Sequence, residues 1–154
     1  MPNLLTFGAC RQAIVDRDGG SVSLINLINT LTILKQPDQN IPPDANSPIE
    51  WGVVTAWLRL NGEEGKTFLQ HHLLISPDGR TAEGGETNFS FDPNIDSRIM
   101  TTVIKANGFP VGQTGIVTLR VELREEGNEQ WETIADYPIE IRHQIQEGNL
   151  LGTG

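Results

Sequence analysis

Residues 115–145 read GIVTLRVELREEGNEQWETIADYPIEIRHQI, and apolar and polar side chains alternate along most of this stretch. Because successive side chains of a strand point to opposite faces, this period of two predicts strands with one face in a core and the other in water. The polar residues 125–130 predict a turn, so residues 116–141 are predicted to form a β-hairpin. Pro138 cannot donate a ladder hydrogen bond, which predicts a sheet edge or a bend at that point.

Shorter stretches elsewhere carry the same signal, at 4–15, 49–60, 67–76, 87–91 and 98–105. Turns with glycine or proline separate several of them, at 16–20 (DRDGG), 61–65 (NGEEG) and 76–80 (SPDGR). Short strands joined by tight turns are typical of an all-β fold. We expect an antiparallel β-sandwich of the immunoglobulin-like or Greek-key type, with about seven or eight strands.

Two stretches are less regular. SVSLINLINTLTIL, residues 21–34, fits a helical stripe and a strand about equally well, and its β-branched residues and lack of a capping box favour a strand. Residues 35–48 contain four prolines and no periodicity, which predicts a long polar loop. A chain of 154 residues forms one domain by default, so we expect a single domain over 1–145 and a loose tail over 146–154.

Composition excludes several classes of function. The formal net charge is −9 and no run of basic residues occurs, so nucleic acid and anionic membranes are not expected partners. Cys10 is the only cysteine, so no internal disulfide can form. The first residues lack the pattern of a signal peptide, and no window has the ~20 apolar residues of a membrane helix. We therefore expect a soluble cytoplasmic protein.

Asp92, Asn94 and Asp96 have the spacing of the first ligands of a calcium loop. The sixth and twelfth loop positions, which require Gly and Glu, are Ser97 and Val103, so a polar turn is favoured and metal binding is the weaker alternative.

The histidines and the nucleophiles do not form a recognisable catalytic or metal-binding pattern. Adjacent residues of a strand point to opposite faces, so His71 and His72 cannot share a metal. No serine lies in a Gly-x-Ser-x-Gly elbow, and Cys10 is expected to pack as a small hydrophobic residue. We expect no catalytic centre and no cofactor.

Recognition is therefore expected from surface loops or an edge strand that bind another protein, with a homo-oligomer as a further possibility. The loops 35–48 and 77–88 are the predicted contact surfaces. The candidate contact residues are Trp51, Pro42, Pro43, Asp78 and Arg80. The alternative is a carbohydrate-binding domain with an exposed Trp51 and calcium at 92–96.

Trp131 shares the parity of Tyr137 and Ile139, which predicts a place in the core.

Several segments together resemble a family of small bacterial β-sandwich domains of uncharacterised function. The similarity covers roughly residues 9–142 and consists of hydrophobic spacing and turns, in CRQAIVDRDGGSVSLINLINTL (10–31), GVVTAWLRL (52–60), a strand followed by PDG (77–79), FSF (89–91) and the final strand pair. The resemblance implies the sandwich fold. It implies no activity, ligand or site residue.

Overall fold

The computed structural model describes residues 1–16 and 22–146. Within these ranges the chain forms nine strands, which are β1 (Asn3–Val15), β2 (Val22–Leu27), β3 (Thr30–Lys35), β4 (Asn46–Leu58), β5 (Thr67–Ile75), β6 (Thr81–Ser90), β7 (Ile99–Pro110), β8 (Gly115–Glu125) and β9 (Glu132–Ile145). The described part of the chain has no helix of the length and apolarity needed to cross a membrane. The turn predicted at 16–20 lies mostly outside the described residues, as does the predicted tail beyond Gln146.

The strands form two sheets, one of four strands in the order β2-β1-β4-β7 and one of five in the order β3-β9-β8-β5-β6. The predicted all-β, sandwich-like arrangement is confirmed. The predicted count of seven or eight strands is too low, and the expectation of purely antiparallel pairing is wrong. β3 pairs parallel with β9, because the chain crosses from one sheet to the other between β2 and β3.

Residues 21–34 contain two strands rather than the single strand that we predicted. Asn26 has a left-handed backbone, with φ 54°, which Asn tolerates better than most residues. The chain then passes through the buried Ile28, whose N–H donates to the Ala9 carbonyl at 2.9 Å. This anchored crossing places β2 and β3 at the edges of different sheets.

The hairpin predicted over 116–141 is confirmed, since β8 and β9 pair antiparallel. Pro138 lies opposite Thr118 of β8, whereas β3 joins the other side of β9 only from Glu140 onward. At Pro138, β9 therefore pairs with β8 alone in the part of the chain that the structure describes, as the missing N–H of Pro138 predicts.

Several predicted boundaries are corrected. β4 begins at Asn46 and β6 begins at Thr81, so the loops predicted over 35–48 and 77–88 shorten to residues 36–45 and 76–80. The strand predicted at 87–91 is the end of the longer β6. Glycine at position 79, with φ 86°, completes the predicted turn, and the Gly79 N–H donates to the Ser76 carbonyl at 2.8 Å.

Two apolar clusters fill the space between the sheets. The first contains Ala9, Ile28, Trp51, Val53, Phe109, Val111, Val117, Leu119, Ile139 and Ile141. The second contains Trp57, Phe68, Phe89, Phe91, Val121 and Leu123. On β4, Thr55 lies between Val53 of the first cluster and Trp57 of the second. A polar contact therefore separates the two clusters at Thr55.

This polar contact is a buried network that joins the two sheets. The Gln70 Oε1 atom accepts hydrogen bonds from the Thr55 hydroxyl at 2.9 Å and from the Trp57 indole at 3.1 Å. The Gln70 Nε2 atom donates to the Thr102 hydroxyl at 2.6 Å. Because Gln70 belongs to the five-stranded sheet and its three partners to the four-stranded sheet, the network fixes how one sheet lies on the other.

Candidate functional site

One end of the sandwich brings together three segments that are distant in sequence. We call it the loop end, and it consists of residues 36–45, 76–80 and 111–115. The Asp78 N–H donates to the Gln113 Oε1 atom at 3.2 Å, and the Gln113 Nε2 atom donates back to the Asp78 carboxylate at 3.0 Å. The turn is thus held to residues 111–115 by a reciprocal pair of hydrogen bonds.

Arg80 completes the turn. Its backbone N–H donates to one Asp78 carboxylate oxygen at 3.1 Å and its Nε–H to the other at 2.5 Å. Hydrogen bonds from the Gln113 side chain and from Arg80 lower the pKa of Asp78 to about 2. The carboxylate is therefore ionised and oriented, while the Arg80 side chain is mostly exposed to solvent.

Pro42 and Pro43 lie on the same end. The Ala45 N–H donates to the Pro42 carbonyl at 3.0 Å, and the Val111 N–H donates to the Ala45 carbonyl at 2.9 Å. The backbone of the proline pair passes so close to Gly112 that a Cβ atom there would collide with both proline carbonyls. The structure thus brings four of the five predicted contact residues onto one surface. Gly112 and Gln113, which join the segments, were missed by sequence reasoning.

We expect Gly112→Ala to lower the free energy of unfolding by about 1 to 2 kcal/mol, because the added methyl group forces the 36–45 loop away from residues 111–115. Chemical denaturation measures this change. Gly85→Ala is the matched control, since a Cβ atom at Gly85 meets nothing within 4 Å. Equal stability of the two variants would contradict the packing described for the loop end.

Trp51 does not belong to this surface, and the prediction that its ring contacts a partner is wrong. The residue is only 5% exposed, its indole N–H donates to the Gly108 carbonyl at 2.8 Å, and its ring packs edge-on against Phe109. The alternative of a carbohydrate-binding domain relied on an exposed Trp51. It therefore has no support from this residue.

Asp92 and Asn94 form the polar turn that the sequence favoured. The Asp92 carboxylate accepts hydrogen bonds from the Asn94 backbone N–H at 2.8 Å and from the Asn94 side-chain amide at 3.1 Å. Asp96 lies two residues farther on and is exposed. Across residues 1–16 and 22–146, no three or more His, Cys, Asp or Glu side chains are grouped so that they could hold a metal ion.

Trp131 lies on the outer face of the five-stranded sheet, so its predicted place in the core is wrong. Ile134 of β9 is left out of the pairing with β8 and forms a β-bulge. Because of this extra residue, the residues before Ile134 face the side of the sheet opposite to the one that their parity with Tyr137 predicts. The Trp131 ring lies 5.2 Å from the His71 ring and 4.6 Å from the Arg124 guanidinium carbon. As expected for neighbouring strand residues, His71 faces outward and His72 faces the interior.

A second surface is the β2 edge of the four-stranded sheet. β2 pairs with β1 and with no other strand among the described residues. Its sequence, VSLINL, contains neither charge nor proline, and Ile25 and Leu27 are 38% and 52% exposed. Proteins commonly protect exposed edges with charged residues or proline, as β6 does with Glu83 and Glu86 at the edge of the other sheet. The edge of β2 lacks this protection.

The distal part of β1 and all of β2 form what we call the arm, residues 11–16 and 22–27. Val53 and Thr55 face the interior, so Val54 between them faces the outer side of the sheet. Val54 is nevertheless only 1% exposed. Val22 and Leu24 line a cavity of about 260 Å³ together with Val54. We infer that the arm covers the outer face of β4. One side of β2 thus faces the sheet, while Ile25 and Leu27 face solvent.

Cys10 lies at the base of the arm. The thiol is fully buried and its Sγ atom lies 3.8 Å from the Gly52 carbonyl oxygen, in agreement with the predicted role of a small packed side chain. Burial raises the pKa of this thiol, so the residue is not an activated nucleophile.

Comparisons with known proteins give weak similarities. No protein-family model and no curated protein matches the sequence. Among solved structures, a family 123 glycoside hydrolase from Clostridium perfringens aligns with 92% of this chain at a TM-score of 0.42 and 13% identity, and the chain spans 28% of that hydrolase. The putative ApaA protein from Bordetella pertussis aligns at a TM-score of 0.38 and 11% identity, over 91% of this chain and 94% of that protein.

Proposed function

We propose that the chain is a non-catalytic binding module that accepts an extended segment of another protein as an additional strand on β2. The observation that carries the proposal is the uncharged edge of β2, which pairs with no strand other than β1 within residues 1–16 and 22–146, together with its exposed Ile25 and Leu27. A strand added to such an edge gains backbone hydrogen bonds, and alternate side chains of the guest provide specificity.

The charge of the chain indicates the chemistry of the partner. The net charge of −9 repels acidic segments at long range, whereas β2 itself contributes no charge to the contact. The guest segment is therefore apolar where it pairs with β2, with neutral or basic flanking residues. This field also disfavours pairing between two copies of the chain.

The loop end is a second contact surface in this proposal. Pro42, Pro43, Asp78 and Arg80 are exposed there on loops that hydrogen bonds hold in place. Rigid, exposed loops of this kind commonly take part in recognition.

We further propose that the sandwich is immunoglobulin-like. The succession of β4, β5 and β6 followed by β7, β8 and β9 supports this assignment, since β4 pairs with β7 while the other four lie together in the order β9-β8-β5-β6. The proposal includes membership in the bacterial sandwich family that the sequence resembles. It also includes a cytoplasmic location, which the single buried cysteine supports.

We expect the double variant Ile25→Lys/Leu27→Lys to lose the proteins that the tagged wild-type chain captures from its native lysate, because charged side chains at an edge oppose strand addition. Both positions are exposed, so stability should change by less than about 0.5 kcal/mol. Quantitative mass spectrometry of the captured proteins measures the loss.

Ile116→Lys/Ile145→Lys is the control for this experiment, because it adds the same charge at two other exposed isoleucines. Partners that are lost equally from both double variants would contradict binding at β2. Sedimentation velocity adds an independent measurement. A wild-type dimer that dissociates in the β2 variant would show that a second copy, rather than another protein, occupies this edge.

A further inference from the structure

A cavity of about 260 Å³ lies beneath the arm, between β2 and the outer face of the four-stranded sheet. Four strands contribute to its lining, and none of the lining residues that the structure describes is charged. These residues are Leu5, Thr6, Val22, Leu24, Val54, Ala56, Ile99 and Thr101. An uncharged lining of this kind favours an apolar occupant, because a charged group would lose its hydration there without gaining an ionic partner.

The pairing of the strands explains why this space exists. Ala56 of β4 pairs with Thr6 of β1 and with Thr101 of β7, and paired residues of antiparallel strands point to the same face. Leu5 is left out of the pairing between β1 and β4, so a β-bulge brings it to this face beside Thr6. Alanine is the smallest residue in the row, so the cavity lies where larger neighbours surround a single methyl group.

The apolar floor of the cavity continues past the edge of β2 that faces away from β1. Along β4, residues 11–13 of β1 line a separate cavity at Gly52, and β2 follows over Val54. The next paired row of the outer face that lies beyond the cavity contains Leu58 and Ile99. Ile99 is 51% exposed, against 1% for Val54 beneath the arm. Exposed apolar surface therefore lies next to the edge at which a guest strand would add.

We propose that this cavity is the anchor pocket of the β2 surface and that it accepts one aliphatic or aromatic side chain of the guest segment. This inference rests on the proposed addition of a strand to β2. A strand beside β2 covers Leu5 and Ile99, which are 50% and 51% exposed, and every second side chain of that strand points toward the sheet. A dry cavity of about 150 Å³ can hold benzene. The cavity of about 260 Å³ therefore has room for a leucine or phenylalanine side chain.

The pocket limits which segments can bind. The guest carries a large apolar residue at one sheet-facing position, whereas the residues before and after it point to solvent beside Ile25 and are free to vary. An acidic residue at the anchor position is excluded, because the described lining provides no cation and the chain has a net charge of −9.

Toluene, which corresponds to the side chain of phenylalanine, tests the pocket without a partner protein. Titration of the wild-type chain, followed by methyl NMR of Val22, Leu24 and Val54, gives a dissociation constant. We expect saturable shifts of these methyl groups in the wild type. Ala56→Leu places a larger side chain in the cavity and is expected to weaken toluene binding roughly tenfold or more. Ala56→Val fills less of the cavity and should weaken binding by a smaller factor.

Ala82→Leu is the matched control, because it adds the same carbon atoms at an exposed position of β6. It should change the dissociation constant less than about threefold. Methyl groups of the wild type that do not shift up to the solubility limit of toluene would overturn the proposal. Equal toluene affinity in the wild type and in both variants of Ala56 would also overturn it.

Protein capture extends the test to the guest segment. We expect Ala56→Leu to lose the proteins that Ile25→Lys/Leu27→Lys loses, although Ala56→Leu leaves the sequence of β2 unchanged. Retention of these proteins by Ala56→Leu, with loss from the β2 variant, would overturn the anchor pocket and leave strand addition intact.

The β2 variant should bind toluene as the wild type does, because toluene does not use the edge of β2. Toluene binding without any loss of captured proteins from the β2 variant would therefore contradict strand addition and, with it, the anchor role. A wild-type dimer that dissociates in Ala56→Leu would place a second copy in the pocket and overturn a guest from another protein.

Discussion

Replacing Gln70 with leucine is expected to lower the free energy of unfolding by about 3 kcal/mol. Gln70, Thr55 and Trp57 are buried, and the Gln70 oxygen is the acceptor for both the Thr55 hydroxyl and the Trp57 indole. Leucine removes that acceptor and leaves the indole N–H without a partner in an apolar interior. Thr55 and Thr102 can still bond to each other, which limits the loss. Denaturant unfolding followed by Trp fluorescence measures the change.

A second variant separates the lost network from a simple change of shape. Leaving one buried polar group unpaired costs more than removing both partners. Trp57→Phe added to Gln70→Leu is therefore expected to cost less than the sum of the two single substitutions, because it removes the indole N–H that Gln70→Leu leaves unpaired. Gln113→Leu, at the exposed loop end, is the surface comparison and should change stability by less than about 1 kcal/mol. A cost for Gln70→Leu as small as that of Gln113→Leu would contradict a buried network between the sheets.

Acidification from pH 6.5 to pH 4 is expected to remove about 3 kcal/mol of stability through His72 alone. The pKa of His72 is lowered from 6.5 to about 4 by burial and, secondarily, by the charge of His71. Between these values the unfolded chain binds a proton on His72 and the folded chain does not, so falling pH favours unfolding. Above pH 6.5 neither state is protonated there, and this contribution to stability is fully present.

The pH dependence of His72→Leu isolates this contribution from that of the carboxylates. We expect the stability difference between wild type and variant to change by about 3 kcal/mol over this range, in the direction of a less stable wild type at low pH. His143→Gln retains His72 and should retain the acid sensitivity. An acid loss of the same size in His72→Leu and in the wild type would show that His72 is not buried in an apolar site.

Sequence alone identified the elements whose signal is local. Alternation over residues 116–141 predicted β8 and β9, and the missing N–H of Pro138 placed the local edge in β9, because both features depend on the strand itself. The turn at residues 76–80 was likewise evident from Pro77 and Gly79.

Features that depend on pairing between distant segments could not be predicted in this way. The bulge at Ile134 can be recognised only from the pairing of β9 with β8, so the parity of Trp131 predicted the wrong face of the sheet. β2 ends at Leu27, one residue beyond the left-handed Asn26, and the sequence around this point carries no glycine or proline signal. The error at Trp131 arose because one skipped residue changes which side of the sheet its neighbours face.

At the candidate site, too, the features that depend on local sequence were predicted and those that depend on contacts between distant segments were not. Pro42 and Asp78 were selected as exposed loop residues, and they are exposed. Their meeting at one end depends on Gly112 and Gln113, whose importance is apparent only when loops from different parts of the chain are placed together. Trp51 was named as a candidate contact residue because it lies near a strand end beside the proline-rich loop, yet its indole N–H donates to the Gly108 carbonyl on β7.

Hydrogen exchange of the backbone amides of β2 tests the proposed function most directly. If a partner adds a strand to β2, amides of Val22–Leu27 that exchange quickly in the free chain should exchange at least tenfold more slowly in the purified complex. Unchanged exchange in β2, with protection confined to residues 76–80 and 111–115, would contradict strand addition and place the contact on the loop end instead.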